Sequence, residues 1–204
     1  MRQLLASFAI TLCAIGAAHA ASLADADAEA GRDKAAVCSA CHGQQGIGIA
    51  PAFPNLAGQQ ASYLAKQIMD IRDGKRPVPQ MAGQLDDYSD QDAWNVAAYY
   101  AGLSPARGQA DPELVERGRE LYRAGDMEQG IPACAACHTP TGEGIGSSAY
   151  PALSGQQRDY LVTTLKAFAT GQRDNDTNAI MREIAAQMSD RDMQAVASYV
   201  RGLH

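Results

Sequence analysis

The sequence predicts an all-α protein made of two tandem helical bundles of similar size. Three observations lead there. The second half repeats the first at offsets of 96 to 100 residues, apolar residues recur at helical spacing in both halves, and no segment alternates as a half-buried strand would. Composition adds a constraint. Aromatic residues make up 6% of 204 residues, a thin supply for two small cores, and small domains commonly compensate with a metal or a covalent staple.

The first 20 residues stand apart from the bundles. Arg2 gives a positive start, "LLASFAITLCAIGAA" is an apolar run, and Ala18-His19-Ala20 is a small-x-small cleavage site. This is the pattern of a secretory signal peptide over residues 1–20, with a run shorter than the 18 or more apolar residues of a membrane span. Cys13 lies inside the run, and Leu12 before it is unlike the small residue that precedes a lipoprotein cysteine. The mature chain then begins near Ala21, outside the cytoplasmic membrane. It has no second apolar run, and association with the membrane surface is left open.

The helices follow in order. One is expected ahead of "AVCSACHG" (36–43). Leu64, Ile68 and Ile71 mark the next, and Gly74 can end it. Ser89 is placed to cap a last helix with an acidic first turn, whose apolar face carries Val96 and Tyr99. Pro, Gly and polar residues cluster in "LSPARGQADP" (103–112), which sets the expected domains at 21–105 and 106–204. Asp111-Pro112 then reads as a helix start, continued by Leu114, Leu121 and Tyr122. Leu161, Leu165 and Phe168 repeat the earlier spacing with Gly171 as the stop, and Ser189 leads into a helix with Val196 and Val200. The repeat is plainest where "PNLAGQQASYL" (54–64) meets "PALSGQQRDYL" (151–161) and "VAAYYAGL" (96–103) meets "VASYVRGL" (196–203).

The chemistry sits in "CSACH" (38–42) and "CAACH" (134–138). Four cysteines in an exported chain first suggest two disulfides. A redox dithiol would want a βαβ setting, which is missing. A zinc site needs four N or S ligands, and each half offers two Cys and one His, with only His204 beyond them. Covalent haem fits instead. Cys38 and Cys41, and again Cys134 and Cys137, would bond the porphyrin vinyl groups, with His42 and His138 as iron ligands. The i, i+3, i+4 spacing puts all three side chains on one helical turn.

The sixth ligand has several methionine candidates. Met69 falls within a helical stretch and Met127 precedes its cysteine pair. Met188 aligns with Tyr88, which makes it a core residue. Met81 follows the proline-bearing stretch "RPVPQ" in a loop, Met181 occupies the same place relative to the last helix, each stands eight residues before a Ser-Asp pair, and the repeat selects them. His/Met ligation fills all six positions and leaves no open site for oxygen, peroxide or substrate. Methionine sulfur also raises the reduction potential.

With "FPNLAGQ" and "YPALSGQ", the two methionines and "SDQD", the chain resembles the dihaem class I cytochromes c, most closely the cytochrome c4 family, over essentially its whole mature length. The resemblance implies two tandem class I cytochrome c domains, each a small helical bundle around one covalent haem c. It also implies a pseudo-two-fold axis with haem propionates approaching at the interface. Pro54 and Pro151 would accept a hydrogen bond from the proximal histidines. Ala152 in place of Asn55, and the longer "GDMEQGIP", are expected to cause only local change.

The expected function is periplasmic electron transfer without enzymatic activity, between redox partners such as a quinol-oxidising complex and a terminal oxidase. A dihaem cytochrome subunit of a dehydrogenase, such as a sulfide-oxidising flavocytochrome, is the alternative. A dihaem peroxidase would require one iron to release its sixth ligand. The formal net charge of −6 gives no basis for nucleic-acid binding.

Overall fold

The structure is a computed structural model that describes residues 21–203. The signal-peptide reading of residues 1–20, and His204, lie outside the described residues. The first half holds α1 (Ala28–Lys34), a short α2 (Ser39–His42), α3 (Ala61–Arg72) and α4 (Asp90–Ala101). The second holds α5 (Val115–Arg123), a short α6 (Ala135–His138), α7 (Arg158–Ala169), α8 (Ile180–Ala186) and α9 (Asp190–Arg201). Among the described residues there is no β-strand, only the isolated bridges Asp126–Ile131 and Ile145–Tyr150.

In each half the first and last helices cross closely, α1 on α4 and α5 on α9. Glycine makes the crossing possible. A Cβ built at Gly31 would meet the Asn95 carbonyl oxygen at 2.0 Å, and one at Gly118 would meet that of Ala195 at 2.2 Å. Both contacts are backbone, so neither can yield by a rotamer change. Gly118→Ala is therefore expected to force α5 and α9 apart at a cost of about 3 kcal/mol. Denaturant unfolding should show it as a lower midpoint. An unchanged midpoint would mean that the crossing is looser than drawn.

Packing follows the helical periodicity. Leu64, Val96 and Tyr100 are buried in the first core, and Leu121, Tyr122, Ile131, Val196 and Val200 in the second. Ser89 and Ser189 each form a full capping box, with Asp92 and Asp192. Such caps contribute about 1 kcal/mol each. Gly74 and Gly171 adopt φ +72° and +71° past the ends of α3 and α7, the left-handed stop that glycine supplies without a Cβ clash.

Two local expectations are corrected. Asp111-Pro112 does not begin α5. The Asp111 carboxylate accepts from Glu113 N at 3.0 Å and closes a turn, and the helix starts at Val115. Second, α8 has no counterpart in the first half. Met81 ends a 3-10 turn after two prolines, whereas Met181 is the second residue of α8. The added "GDMEQGIP" closes on itself through two hydrogen bonds between Asp126 and Ile131, so its effect is local.

The two halves meet through a reciprocal pairing. Gln59 accepts from Ala152 N at 2.6 Å and donates to Ala152 O at 2.9 Å. Gln156 accepts from Asn55 N at 2.8 Å and donates to Asn55 O at 2.9 Å. Gln59 and Gln156 are repeat equivalents, as are Asn55 and Ala152, so the relation across the contact is two-fold. Only the backbone of residues 55 and 152 takes part in these four bonds, so alanine at 152 keeps them; the Asn55 side chain adds a bond on one side only, its Nδ2 donating to Gly155 O at 2.9 Å.

Candidate haem-attachment sites

Each cysteine pair lies on a single turn that ends in its histidine. Cys38 starts the turn occupied by α2, and Cys134 starts the one occupied by α6. All four cysteines are free; Cys41 is exposed and the other three are half-buried. Burial raises the Cys38 thiol pKa, and hydrogen bonds from Tyr88 and Tyr100 oppose that rise. Burial pushes the Cys134 thiol up to about 11. Both sulfurs are therefore held as neutral thiols at neutral pH.

The histidines point inward, 7% and 8% exposed. Nδ1 of His42 lies 3.0 Å from the Pro54 carbonyl, and Nδ1 of His138 lies 2.9 Å from that of Pro151. A carbonyl can only accept, so Nδ1 carries the proton in both rings. Burial lowers both histidine pKa values, against a smaller opposing effect of these bonds. The rings are thus neutral, with the Nε2 lone pair free for a metal. The geometry comes from the chain turning back after each histidine. Gly43 follows His42 at φ +72°, and Thr139 takes the same place at φ +66°. The Tyr122 hydroxyl donates to Thr139 O at 2.6 Å and ties that turn to α5.

The methionines differ in setting. Met81 is half-buried against the first core. Met181 is half-buried and follows two left-handed residues, Asn178 (φ 54°) and Ala179 (φ 60°). The segment is closed by the Asp176 carboxylate, which accepts from Arg182 N at 3.0 Å and Nε at 2.7 Å. Met69 packs against the first core, Met188 is 9% exposed in the second, and Met127 is 83% exposed.

This donor set suits a covalently attached haem. It provides two thiols on one turn, an imidazole with a fixed tautomer, and a thioether in the same half. Among the described residues no three His, Cys, Asp or Glu side chains converge as zinc would require. The left-handed pair before Met181 and the Asp176–Arg182 closure were not foreseen. Only the two ends of that closure, an Asp and an Arg six residues apart, are visible in sequence.

Comparison with known proteins agrees with this geometry. The family described as "Cytochrome c" matches residues 115–204, and "Cytochrome C oxidase, cbb3-type, subunit III" matches residues 25–99. The chain is 48% identical to cytochrome c4 of Azotobacter vinelandii, covering 100% of both chains. It is 42% identical to a thiosulfate dehydrogenase electron acceptor of Stutzerimonas stutzeri, over 81% of this chain and 78% of that one. Its structure superposes on crystalline reduced cytochrome c4 from Pseudomonas stutzeri with a TM-score of 0.86 at 45% identity, covering 88% of this chain and 100% of that one.

Proposed function

The chain belongs to the cytochrome c4 family, a dihaem electron carrier rather than an enzyme, and from that premise we propose which residues hold each haem and where the electrons go. Cys38 and Cys41 bond one haem and Cys134 and Cys137 the other. His42 and His138 ligate the irons through Nε2. Met81 and Met181 supply the sixth ligands, and Pro54 and Pro151 fix the imidazoles. Residues 21–105 and 106–204 are the two carrier units. The observation that supports this best is the twice-repeated bond from histidine Nδ1 to a proline carbonyl, beside two free thiols.

When bound, each haem supplies a one-electron couple. The protein contributes orientation and exclusion. The Nδ1 bond holds each ring against rotation and makes Nε2 more electron-rich. Buried side chains around α3 and α4, and around α7 and α9, keep water from the site and restrict rearrangement between oxidation states. A thioether in the sixth position blocks small ligands and favours the reduced state.

We further propose that the protein is exported to the periplasm. There it carries electrons from a quinol-oxidising complex to a terminal oxidase. Among the described residues no helix is long and apolar enough to cross a membrane. The likeness to a thiosulfate dehydrogenase electron acceptor favours a second reading, with a dehydrogenase as donor. Mass spectrometry of the exported, denatured protein is expected to show two haems retained through the four cysteines and a start near Ala21. A mass equal to free thiols or disulfides would refute the attachment. Reduction assays with a purified quinol-oxidising complex and with a purified dehydrogenase as electron donor would then separate the two donor readings.

A further inference from the structure

The bond that holds each proximal imidazole continues past its proline. A carbonyl and the N–H of the next residue belong to one peptide group. The Pro54 carbonyl accepts from His42 Nδ1 at 3.0 Å, and the N–H of that same peptide, on Asn55, donates to Gln156 Oε1 at 2.8 Å. In the other half the Pro151 carbonyl accepts from His138 Nδ1 at 2.9 Å, and the N–H of its peptide, on Ala152, donates to Gln59 Oε1 at 2.6 Å. Each histidine is therefore bonded to a peptide whose far end is held by a glutamine of the opposite half.

The glutamine amides are fixed in this orientation. Both residues are 6% exposed. Oε1 of Gln156 also accepts from Gln157 N at 2.9 Å, and Oε1 of Gln59 from Gln60 N at 2.9 Å. Each Nε2 donates to a carbonyl, of Asn55 or of Ala152. Backbone N–H groups only donate and carbonyls only accept, so neither amide can be turned round. A peptide whose N–H donates moves electron density onto its own carbonyl oxygen, which then accepts more strongly. Such cooperativity amounts to roughly 10–30% per bond and counts most where water is excluded. A stronger bond from Nδ1 in turn makes the imidazole a more basic ligand.

We propose that Gln156 and Gln59 are positioning residues, each setting the basicity of the proximal histidine in the half to which it does not belong. Gln156 acts on His42, and Gln59 acts on His138. This rests on the reading of both histidines as haem ligands. A more basic imidazole favours the oxidised state, so each glutamine lowers the potential of the haem across the junction.

The same glutamines join the halves, and the test separates the two roles by crossed selectivity. Gln156→Met is close in volume and removes the acceptor. In the reduced holoprotein it moves the His42 Nδ1–H magnetic-resonance signal upfield, and redox titration shows a higher potential for the first haem. The His138 signal and the second haem stay as they were. Gln59→Met gives the mirror result. Gln156→Asn, one carbon too short to reach, is the milder variant and shifts His42 the same way. Gln156→Glu keeps an acceptor for Asn55 N and returns the His42 signal towards its original position. Signals that do not move, that move in both halves alike, or that move only in the mutated half would overturn the proposal. So would a shift that Gln156→Glu fails to reverse, which is what a merely loosened junction gives. The unmodified holoprotein supplies the remaining control. If the ring protons of His42 and His138 lack the upfield displacement that an axial imidazole takes from a porphyrin, the ligation reading itself is refuted, and the proposal with it.

Discussion

Replacing Met181 by alanine is expected to free the sixth position of the second haem iron, whereas replacing Met188 by leucine leaves that haem unchanged. The two methionines are seven residues apart and differ in setting. Met188 is 9% exposed and belongs to the second core with Leu121 and Val196. Leucine is close to it in volume, so the swap should cost less than about 1.5 kcal/mol. Met181 is the second residue of α8 and packs less deeply. Without its thioether, the second haem should bind cyanide when oxidised and carbon monoxide when reduced. It should also lose its share, half, of the near-infrared band that ferric iron makes with methionine sulfur, while the share from Met81 survives. The opposite pattern, with Met188→Leu removing half the band, would show that the repeat aligns the second half wrongly.

Asp176→Ala is expected to release Met181 without touching it. Helix α8 begins from Ala179 in a left-handed conformation and has no side-chain cap there. Asp176 substitutes for the cap by accepting from Arg182 N, and its buried carboxylate also holds Arg182 Nε. Such a charged hydrogen bond is worth roughly 1.5–3 kcal/mol. It works against two left-handed non-glycine residues, each unfavourable by about 1 kcal/mol or more. Removing the carboxylate leaves that strain unopposed, so the second haem should show a weakened sulfur band and faster cyanide binding. Ala179→Gly in the same chain should restore part of the band, since glycine adopts this conformation freely. If Ala179→Gly by itself weakens the band, strain is not what the carboxylate opposes.

These two cases mark what the sequence discloses. Helices α3, α4, α7 and α9 were readable because periodicity, serine caps and glycine stops are local signals. Both Cys-x-x-Cys-His turns were readable because spacing alone places three side chains on one turn. The prolines bonding His42 and His138 came from family resemblance, since the contact spans 12 and 13 residues of irregular chain. Helix α8 escaped notice because alignment with Met81 implied a loop, and nothing about Asn178 or Ala179 announces a left-handed backbone. Two contacts between the halves, Arg76 donating to the Tyr160 hydroxyl and Arg173 to the Tyr63 hydroxyl, escaped for another reason. The repeat aligns Arg76 with Arg173, but an alignment of halves cannot show that each arginine reaches into the opposite half.

The reciprocal glutamine contacts carry a consequence for origin. A surface on which residue 59 meets the place equivalent to 55, and 156 meets 55 itself, complements its own copy. A free-standing half would hold both sides of that contact and would pair with a second copy about a two-fold axis, as isologous homodimers do. The present chain has the arrangement of such a dimer with its two copies joined in tandem. Joining removes the concentration dependence of the pairing and allows the copies to differ, as they do in the prolines before Met81 and in α8.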